Sequence, residues 1–267
     1  MLKSIVVPLD GSELSESVLP VVRDLAGRLG AGVILLTTGW GSTYDELQAY
    51  LDGRAELFGE IPIATTVVAD RFPAPAIAEA VEAEPDGAVV MATHGRSGLG
   101  KALLGSVAED VLKDAHRPVL LLGPKAEPRP DLGDGELVMC FDGSDTSTSI
   151  VPLATEWAAA LGLTLVVISV AHGGGTVLGS SEHLDLDREV EGIVGRIRSA
   201  GVEVRHERLE GHDAAKVIVD YSHNAPVALI ALATHGRTGM ARTALGSVAM
   251  KIVHTSACPV LVQRPAD

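Results

Sequence analysis

The sequence predicts an α/β fold of two tandem, doubly wound domains, each with a five-stranded parallel sheet and helices on both faces. One observation is an internal repeat: the segments ATHGR (92–96) and LGSVA (104–108) return as ATHGR (233–237) and LGSVA (245–249). The other is that apolar stretches without polar alternation alternate with helical stretches, which is typical of parallel strands buried on both faces. A repeat much longer than the roughly 20–50 residues of solenoid units indicates a duplicated domain.

The first repeat opens with a strand, a turn and a helix. The β-branched run at 4–9 predicts the strand, and Asp-Gly-Ser at 10–12 predicts the turn. Residues 15–29 predict a helix that ends at the glycines Gly30 and Gly32. The next strand follows at 33–36.

Two more pairs of elements follow. Residues 44–58 are typical of a helix, and the β-branched run 63–68 is typical of a strand. A third helix is predicted over 74–83, and the wholly apolar residues 88–91 predict a buried strand. This alternation of strand and helix is the pattern of a doubly wound unit.

The repeat closes with a glycine-rich loop over 95–105, a helix over 106–114 and a strand over 118–122. The second half of the chain repeats this order. Between the halves, prolines, glycines and charges predict a linker. The predicted organisation is a first domain at 1–124, a linker at 125–136 and a second domain at 137–267.

Composition limits the classes of partner. The 35 acidic side chains outnumber the 21 basic ones, which gives a net charge of −14 and argues against binding to nucleic acid or an anionic membrane. The two cysteines, Cys140 and Cys258, do not form a disulfide framework and are predicted to be packing residues. Because the chain shows no leader and no apolar run long enough to span a bilayer, we expect a cytoplasmic protein.

Three repeated features are expected to meet at the carboxyl edge of each sheet, where open α/β folds bind ligands. They are the turn after the first strand, the loop after the fourth strand and the start of the last helix. Gly95 and Gly105 would let backbone amides approach a ligand, and Ser106 at the helix N-cap would add a hydroxyl to an anion site. The alternative is that Ser106 and Glu109 form a capping box that needs no ligand. The second copy keeps Gly-Ser but lacks the glutamate, which favours a phosphate site.

These residues resemble a known family. The spacing Ala92-x-x-Gly95-x9-Gly105-Ser106, and its copy at 233–247, is similar to the G-x-x-G-x9-G-[S/T] motif in the nucleotide-binding branch of the universal stress proteins. Alanine replaces the first glycine of the motif in both copies. The resemblance to the tandem members of the family covers nearly the whole chain. It implies two domains with the Rossmann-like fold of the adenine nucleotide alpha hydrolases.

The resemblance also implies an ATP site in each domain, with ADP or AMP as other possible nucleotides. The aspartates of the first turn would lie beside adenosine, main-chain groups at the end of the second strand would read adenine, and the Gly-Ser segment would hold the phosphates. Magnesium would bind through the phosphates, with no metal ligand from protein side chains. The implied residues are Pro8, Asp10, Thr38, Ala92, His94, Gly95, Arg96, Gly105, Ser106 and Val107 in the first domain, and Asp142, Val170, Ala233, His235, Gly236, Arg237, Gly246, Ser247 and Val248 in the second.

The same residues give little support for catalysis. His94 and His235 are the repeated candidates for a general base, and a histidine in a tight loop is more often a hydrogen-bonding residue of that loop. The favoured hypothesis is therefore a stress-response protein that binds ATP as a non-catalytic sensor. A slow ATPase or adenylating enzyme is one alternative, although such enzymes need a loop rich in serine and glycine directly after the first strand, and here that loop is only the short 10–15 segment. A nucleotide-free scaffold is the other.

The last strand of each repeat bears on assembly. The segments 118–122 and 259–263 are short, apolar and predicted to lie at a sheet edge, where unpaired backbone groups favour a partner. We expect them to pair with each other as an intramolecular pseudo-dimer. By resemblance, such units dimerise again, so we also expect a homodimer.

Overall fold

A computed structural model of the chain describes residues 1–39, 42–94, 104–127, 132, 134–171, 181–234 and 245–265. Contacts within the chain divide it into two compact units, unit 1 (Met1–Leu132) and unit 2 (Gly133–Asp267). Each unit alternates strands with helices along the chain.

Unit 1 contains five strands and five α-helices among its described residues. A single turn of 3₁₀ helix, Glu56–Phe58, extends the third helix. In chain order the elements are β1 (Ser4–Pro8), α1 (Glu13–Glu16), α2 (Leu19–Leu29), β2 (Gly32–Gly39), α3 (Tyr44–Ala55), β3 (Ile63–Ala69), α4 (Pro73–Glu82), β4 (Gly87–Ala92), α5 (Ser106–Asp114) and β5 (Val119–Leu122).

Unit 2 repeats this order over its own described residues. Its elements are β6 (Glu136–Cys140), α6 (Asp145–Thr148), α7 (Val151–Leu161), β7 (Thr164–Ala171), α8 (Ser181–Ser199), β8 (Val204–Glu210), α9 (Ala214–Asn224), β9 (Val227–Ala233), α10 (Ser247–Thr255) and β10 (Val260–Gln263).

The strands of unit 1 pair in the order β3-β2-β1-β4-β5, and those of unit 2 in the order β10-β9-β6-β7-β8. Every pair within a unit is parallel. Right-handed crossovers therefore place α2 and α3 on one face of the first sheet and α4 and α5 on the other. The predicted doubly wound α/β fold is confirmed, and the winding direction reverses between β1 and β4, and between β6 and β9.

The core lies along the central strands. Strand β9 is buried over its whole length, and β4 is buried up to its last residue. Ile5, Val6 and Val7 of β1 have no exposed surface. This burial is the physical reason that the strands read as unbroken apolar runs in the sequence.

The predicted helix over 15–29 is wrong as a single element. The structure has a four-residue helix, α1, and a separate helix, α2, with Pro20 in its first turn. Proline has no N–H group to donate to the carbonyl of Glu16, and its ring crowds that carbonyl, so the helix is interrupted there. Pro152 has the same place in α7 of unit 2.

Two residues of the predicted linker, Leu132 and Glu136, have defined contacts. Leu132 is 1% exposed, and its N–H group donates to a carboxylate oxygen of Asp24 on α2 at 2.9 Å. Glu136 begins β6, and its two carboxylate oxygens accept hydrogen bonds from Arg205 and Tyr221, each at 2.8 Å. Burial and this carboxylate raise the pKa of Tyr221 to about 12. Glycine and proline content in the sequence did not reveal these contacts.

The two cysteines are expected to be unreactive in the folded protein. Burial of the thiol raises the pKa of Cys140 to about 12, and Cys258 is buried beside the hydroxyl of Ser256. The reactive thiolate of Cys140 is therefore scarce at pH 8, and burial keeps a reagent away from Cys258. We expect a thiol reagent to label neither cysteine in the native protein, and both after unfolding in guanidinium. Rapid labelling of the folded chain would contradict this.

Candidate functional site

The turn after β1 is built by its own side chains. A carboxylate oxygen of Asp10, Oδ1, accepts from the backbone N–H of Ser12 at 3.0 Å and from its hydroxyl at 2.6 Å. Ser12 caps α1 by accepting from the N–H of Ser15 at 3.1 Å. Gly11 between them has φ 79°, a left-handed conformation that side chains disfavour. Asp10 is thus held in one orientation at the carboxyl end of β1.

Unit 2 builds the same turn with nearly the same distances. Asp142 Oδ1 accepts from the N–H of Ser144 at 3.0 Å and from its hydroxyl at 2.6 Å. Ser144 caps α6 through the N–H of Ser147 at 3.0 Å, and Gly143 again has φ 79°. The repeat seen in the sequence is therefore a repeat of local geometry.

The register of the sheet brings this turn to the end of β4. Val6 pairs with Val89 in unit 1, and Met139 pairs with Ala231 in unit 2. Continued past the strand ends, these registers set Asp10 level with Thr93 and Asp142 level with Thr234. In each unit the aspartate and the threonine thus follow the two strands between which the winding direction reverses, at the same edge of the sheet.

The threonines after Ala92 and Ala233, the last residues of β4 and β9, anchor the following helices. Thr93 and Thr234 are each 2% exposed. The carbonyl of Thr93 accepts from the N–H of Gly105 at 2.9 Å, and the carbonyl of Thr234 accepts from the N–H of Gly246 at 2.7 Å. These bonds bring the N-termini of α5 and α10 to the carboxyl edges of the sheets.

Gly105 is the N-cap of α5, so the predicted position of Ser106 at the N-cap is wrong. The carbonyl of Gly105 accepts from the N–H of Glu109 at 2.9 Å, and Ser106 is the first helical residue. The alternative of a capping box between Ser106 and Glu109 is wrong for the same reason. In unit 2, Gly246 is likewise the N-cap and Ser247 the first residue. Among the described residues no side chain caps either helix. The first-turn N–H groups therefore form a candidate anion site in each unit.

Gly105 also has a structural reason to be glycine. A Cβ atom at this position would lie 2.5 Å from the carbonyl oxygen of Thr93. The sequence motif suggests that this glycine allows a ligand to approach, whereas the backbone contact already requires glycine here. The glycine alone is therefore weak support for a ligand.

The ends of β2 and β7 are built differently in the two units. The buried hydroxyl of Thr37 donates to the carbonyl of Leu9 at 2.7 Å, whereas the hydroxyl of Ser169 lies 2.9 Å from Nε2 of His206. Burial lowers the pKa of His206, against the opposing effect of Asp187 and Glu207. The neighbouring residues Thr38 and Val170 are half-buried, at the places where the sequence predicts main-chain contacts with adenine.

Of the remaining predicted site residues, four are among the described residues and five are not. Pro8 ends β1, Val107 is half-buried in α5, and Val248 is 44% exposed in α10. His94 is half-buried, with Nδ1 3.0 Å from the hydroxyl of Thr93. The others lie outside the described residues, and they are Gly95, Arg96, His235, Gly236 and Arg237.

Charge near the two candidate anion sites differs. In α5, Lys113 pairs with Glu109 at 2.9 Å and with Asp110 at 3.3 Å. In α10, Met250 and Lys251 take the places of Glu109 and Asp110, and Lys251 pairs with Asp213. The two units therefore share the backbone geometry of the site. They differ in the charge of the side chains about one helical turn after the N-cap, which is acidic in α5 and not in α10.

Sequence reasoning missed a polar cluster beside the turn of unit 1, formed by Glu16, Tyr50 and Arg54. The hydroxyl of Tyr50 donates to Glu16 Oε1 at 2.8 Å, and Arg54 Nε lies 2.9 Å from the same oxygen. Burial, followed by the bond to Glu16, raises the pKa of Tyr50. These residues come from α1 and α3, and no local pattern in the sequence links them.

Within the described residues, no group of three or more His, Cys, Asp or Glu side chains is arranged to hold a metal ion. A groove of about 430 Å³ lies between α7 and the end of α8, lined by residues that include Val151, Thr155 and Arg196. It belongs to the helical layer rather than to the carboxyl edge of the sheet. Among the helices described, none has both the length and the apolar content to cross a membrane.

Comparison with known proteins agrees with this architecture. The sequence model of the universal stress protein family matches residues 1–123 and again residues 136–264. The chain belongs to the universal stress protein family. It is a tandem member, since two family domains follow one another in it.

Relatives of this universal stress protein come from bacteria and archaea. Universal stress protein Rv1996 of Mycobacterium tuberculosis is 29% identical over 193 residues, which cover 67% of this chain and 59% of the relative. The chain thus matches under two thirds of that protein's length. Universal stress protein MJ0531 of Methanocaldococcus jannaschii is 33% identical over 147 residues, or 47% of this chain and 85% of that protein.

A solved structure matches the whole fold. The crystal structure of a universal stress protein from Archaeoglobus fulgidus superposes with a TM-score of 0.70 at 22% identity, and the match covers 98% of each chain. At this identity the likeness establishes the fold of the universal stress protein described here, and no more.

Proposed function

We propose that this universal stress protein binds one ATP in each unit and serves as a non-catalytic nucleotide sensor in the stress response. The observation that carries the proposal is the repeated geometry at the carboxyl edges. In both units, an oriented aspartate lies level with the threonine that holds a helix N-terminus lacking a side-chain cap. The helix N-termini that both units leave without a side-chain cap are the part of this geometry that folding alone does not require.

The roles within the proposed site follow from chemistry and from the family resemblance. The N–H groups at the start of α5 and α10, with the hydroxyls of Ser106 and Ser247, would bind phosphate oxygens. Asp10 and Asp142, acceptors at the ends of β1 and β6, would bind hydroxyl or amino groups of adenosine. Main-chain groups at Thr38 and Val170 would read adenine. Gly95, Arg96, His235, Gly236 and Arg237 complete the proposed set by resemblance.

Magnesium would enter with the nucleotide. A divalent ion bridges phosphate oxygens and needs few ligands from the protein. The proposed site offers hydrogen-bond donors to the phosphates, which suits binding of such a complex. ADP and AMP present the same adenosine and fewer phosphates, so they would bind the same residues.

The contacts of the polar residues support binding rather than turnover. ATP hydrolysis needs a group that positions or deprotonates the attacking water. Asp10 Oδ1 accepts two hydrogen bonds from Ser12, and His94 Nδ1 lies beside the hydroxyl of Thr93. The first contact orients the turn after β1, and the second joins two neighbouring side chains, so both groups already have partners within their own loops.

The nucleotide released by the purified protein tests the proposal. We expect denaturation to release ATP, at up to two molecules per chain, and the protein stripped of nucleotide to rebind ATP without hydrolysing it at the roughly 1–10³ s⁻¹ of typical enzymes. Chromatography of the supernatant against standards measures the first, and phosphate release measures the second. Recovery of ADP with rapid phosphate release would show an ATPase. Failure of the stripped, folded chain to bind any adenine nucleotide would show a scaffold.

A further inference from the structure

We propose that β3, the outer strand of unit 1, is the surface at which two copies of this chain associate, each adding its β3 antiparallel to the β3 of the other. The proposal concerns assembly and involves no residue of the proposed nucleotide site. Three observations carry it. They are the open hydrogen-bonding groups of β3, the charges that protect the equivalent strand of unit 2, and the exposed apolar side chains at both ends of β3.

One side of β3 has hydrogen-bonding groups without a strand partner. Among the described strands, β3 (Ile63–Ala69) pairs with β2 alone. The carbonyl of Pro62 accepts from the N–H of Val33 on β2 at 2.8 Å, and the N–H of Asp70 donates to the end of β2 at 3.4 Å. Because alternate residues of a strand bond to opposite sides, the residues that point away from β2 are Ile63, Thr65, Val67 and Ala69. In the described part of the chain, no group bonds to their N–H and C=O groups.

The sequence of β3 lacks the features that usually protect an edge strand. Native edge strands are kept from pairing by charged side chains, proline, bulges or a short length. Strand β3, with the sequence IATTVVA, has seven residues, no charge and no proline, and its register with β2 is unbroken. Its isoleucine, threonines and valines favour the extended conformation. An edge of this kind is suited to the addition of another strand.

The equivalent strand of unit 2, β8, is protected by charge. It has the sequence VRHERLE, and it bonds to β7 with the same alternation, beginning with the carbonyl of Glu203, which accepts from the N–H of Leu165 at 2.8 Å. Arg208 therefore lies at an outward position, and it pairs with Asp187 on α8 at 3.0 Å. Glu210, also outward, is exposed. A strand added here would remove these charges from water at a cost, so association at β3 does not continue through β8 into an open array.

Exposed apolar side chains at both ends of β3 favour a second copy as the partner. Leu57, in the 3₁₀ turn before β3, is 51% exposed, and Phe72, just after β3, is 73% exposed. In an antiparallel pair with two-fold symmetry, the end of one strand lies beside the start of the other. Phe72 of one copy is thereby brought to the same end of the pair as Leu57 of the second, and symmetry repeats this at the other end. Burial of these side chains adds to the backbone hydrogen bonds.

The net charge of the chain determines how salt affects this association. Each copy has a net charge of −14, so two copies repel at long range. The paired strands carry no charge, and a two-fold axis at Thr66 would set Thr65 beside Val67 of the second copy. Salt screens the long-range repulsion and leaves backbone hydrogen bonds and apolar contacts in place. We therefore expect association to strengthen as the salt concentration rises, whereas an interface held by ion pairs would weaken.

The mass in solution, measured by light scattering at about 0.15 M salt, tests the surface. We expect the mass of two chains for the parent and half that mass for Ala64→Lys with Ala69→Lys, which places lysines at the exposed alanines of β3. Ala49→Lys with Ala83→Lys makes the same charge change at exposed alanines outside β3 and should keep the mass of two chains. A parent with the mass of one chain, or a β3 variant that keeps the mass of two, would overturn the proposal.

Amide hydrogen exchange of the parent tests the pairing without any substitution. The Thr65 and Val67 amides should exchange more slowly in concentrated protein than after dilution to single chains, because the second copy accepts their hydrogen bonds. The His206 and Arg208 amides, at the equivalent places of β8, should exchange equally at both concentrations. Equal rates for Thr65 and Val67 would overturn the proposal. If the parent stayed monomeric and a synthetic peptide of residues 62–70 slowed these two amides, the edge would accept a foreign strand, which also overturns a second copy as its partner.

Discussion

Replacing Ser106 and Ser247 together by glutamate is expected to abolish ATP binding while the fold is retained. Both serines are exposed first residues of their helices, so the new side chains face solvent and the ligand rather than the core. A carboxylate about 4 Å from a phosphate, at an effective dielectric constant near 20, opposes binding by up to about 4 kcal/mol. That is a loss of affinity of roughly several hundred-fold.

The same substitution should favour the helices. A negative charge in the first turn interacts well with the helix dipole, by about 0.3–1 kcal/mol. The double variant should therefore melt at or slightly above the temperature of the parent. Stability and binding are thus expected to change in opposite directions, which separates loss of the site from loss of the fold.

Single variants and neutral variants provide the controls. Ser106→Glu and Ser247→Glu alone should each halve the ATP bound per chain. Ser106→Ala and Ser247→Ala remove a hydroxyl without adding charge, so each should weaken its own site by only about tenfold or less. If the folded double glutamate variant bound ATP as the parent does, the phosphates would not lie at these helix N-termini.

Gly105→Ala is expected to destabilise unit 1 even though it adds a single methyl group. The added Cβ would lie 2.5 Å from the carbonyl oxygen of Thr93. The Gly105 N–H donates a hydrogen bond to the same carbonyl at 2.9 Å. Residue 105 therefore cannot move away from Thr93 without losing this bond. We expect a loss of about 1–3 kcal/mol in the free energy of unfolding, the usual cost of forcing an extra carbon into a packed contact.

Gly27→Ala is the matched control for this change. Gly27 lies near the end of α2, exposed, and a Cβ there would meet no atom within 4 Å. Alanine is the better helix former, so this variant should be more stable than the parent by roughly 0.5–1 kcal/mol. Thermal or urea unfolding of the two variants measures the contrast. A Gly105→Ala protein as stable as the Gly27→Ala protein would show that the contact with Thr93 does not restrict residue 105.

The sequence was sufficient to predict most of the fold because the apolar pattern follows burial directly. The helix predicted over 106–114 coincides with α5, and the strand predicted over 88–91 lies within β4. The order of strands and helices then leaves little choice of architecture. The break before Pro20 was missed because apolar residues continue across it, and periodicity alone does not register a missing N–H donor.

The candidate site was predicted less completely, because tertiary contacts determine its details. Serine is favoured at N-caps by local chemistry, yet the bond from Gly105 to Thr93 moves the cap of α5 back by one residue. The cluster of Glu16, Tyr50 and Arg54 joins residues far apart in the chain, and only the folded structure brings them together.

Amide NMR of the nucleotide-free protein, titrated with ATP and magnesium, tests directly whether each unit binds ATP at the carboxyl edge of its sheet. We expect the largest changes in amide chemical shift to fall in two groups related by the repeat. One group contains Gly11, Ser12, Ser106 and Val107, and the other contains Gly143, Ser144, Ser247 and Val248. Shifts confined to one unit would contradict a site in each. Shifts that avoid both groups, or none at all in the folded chain, would contradict nucleotide binding at the carboxyl edges of the sheets.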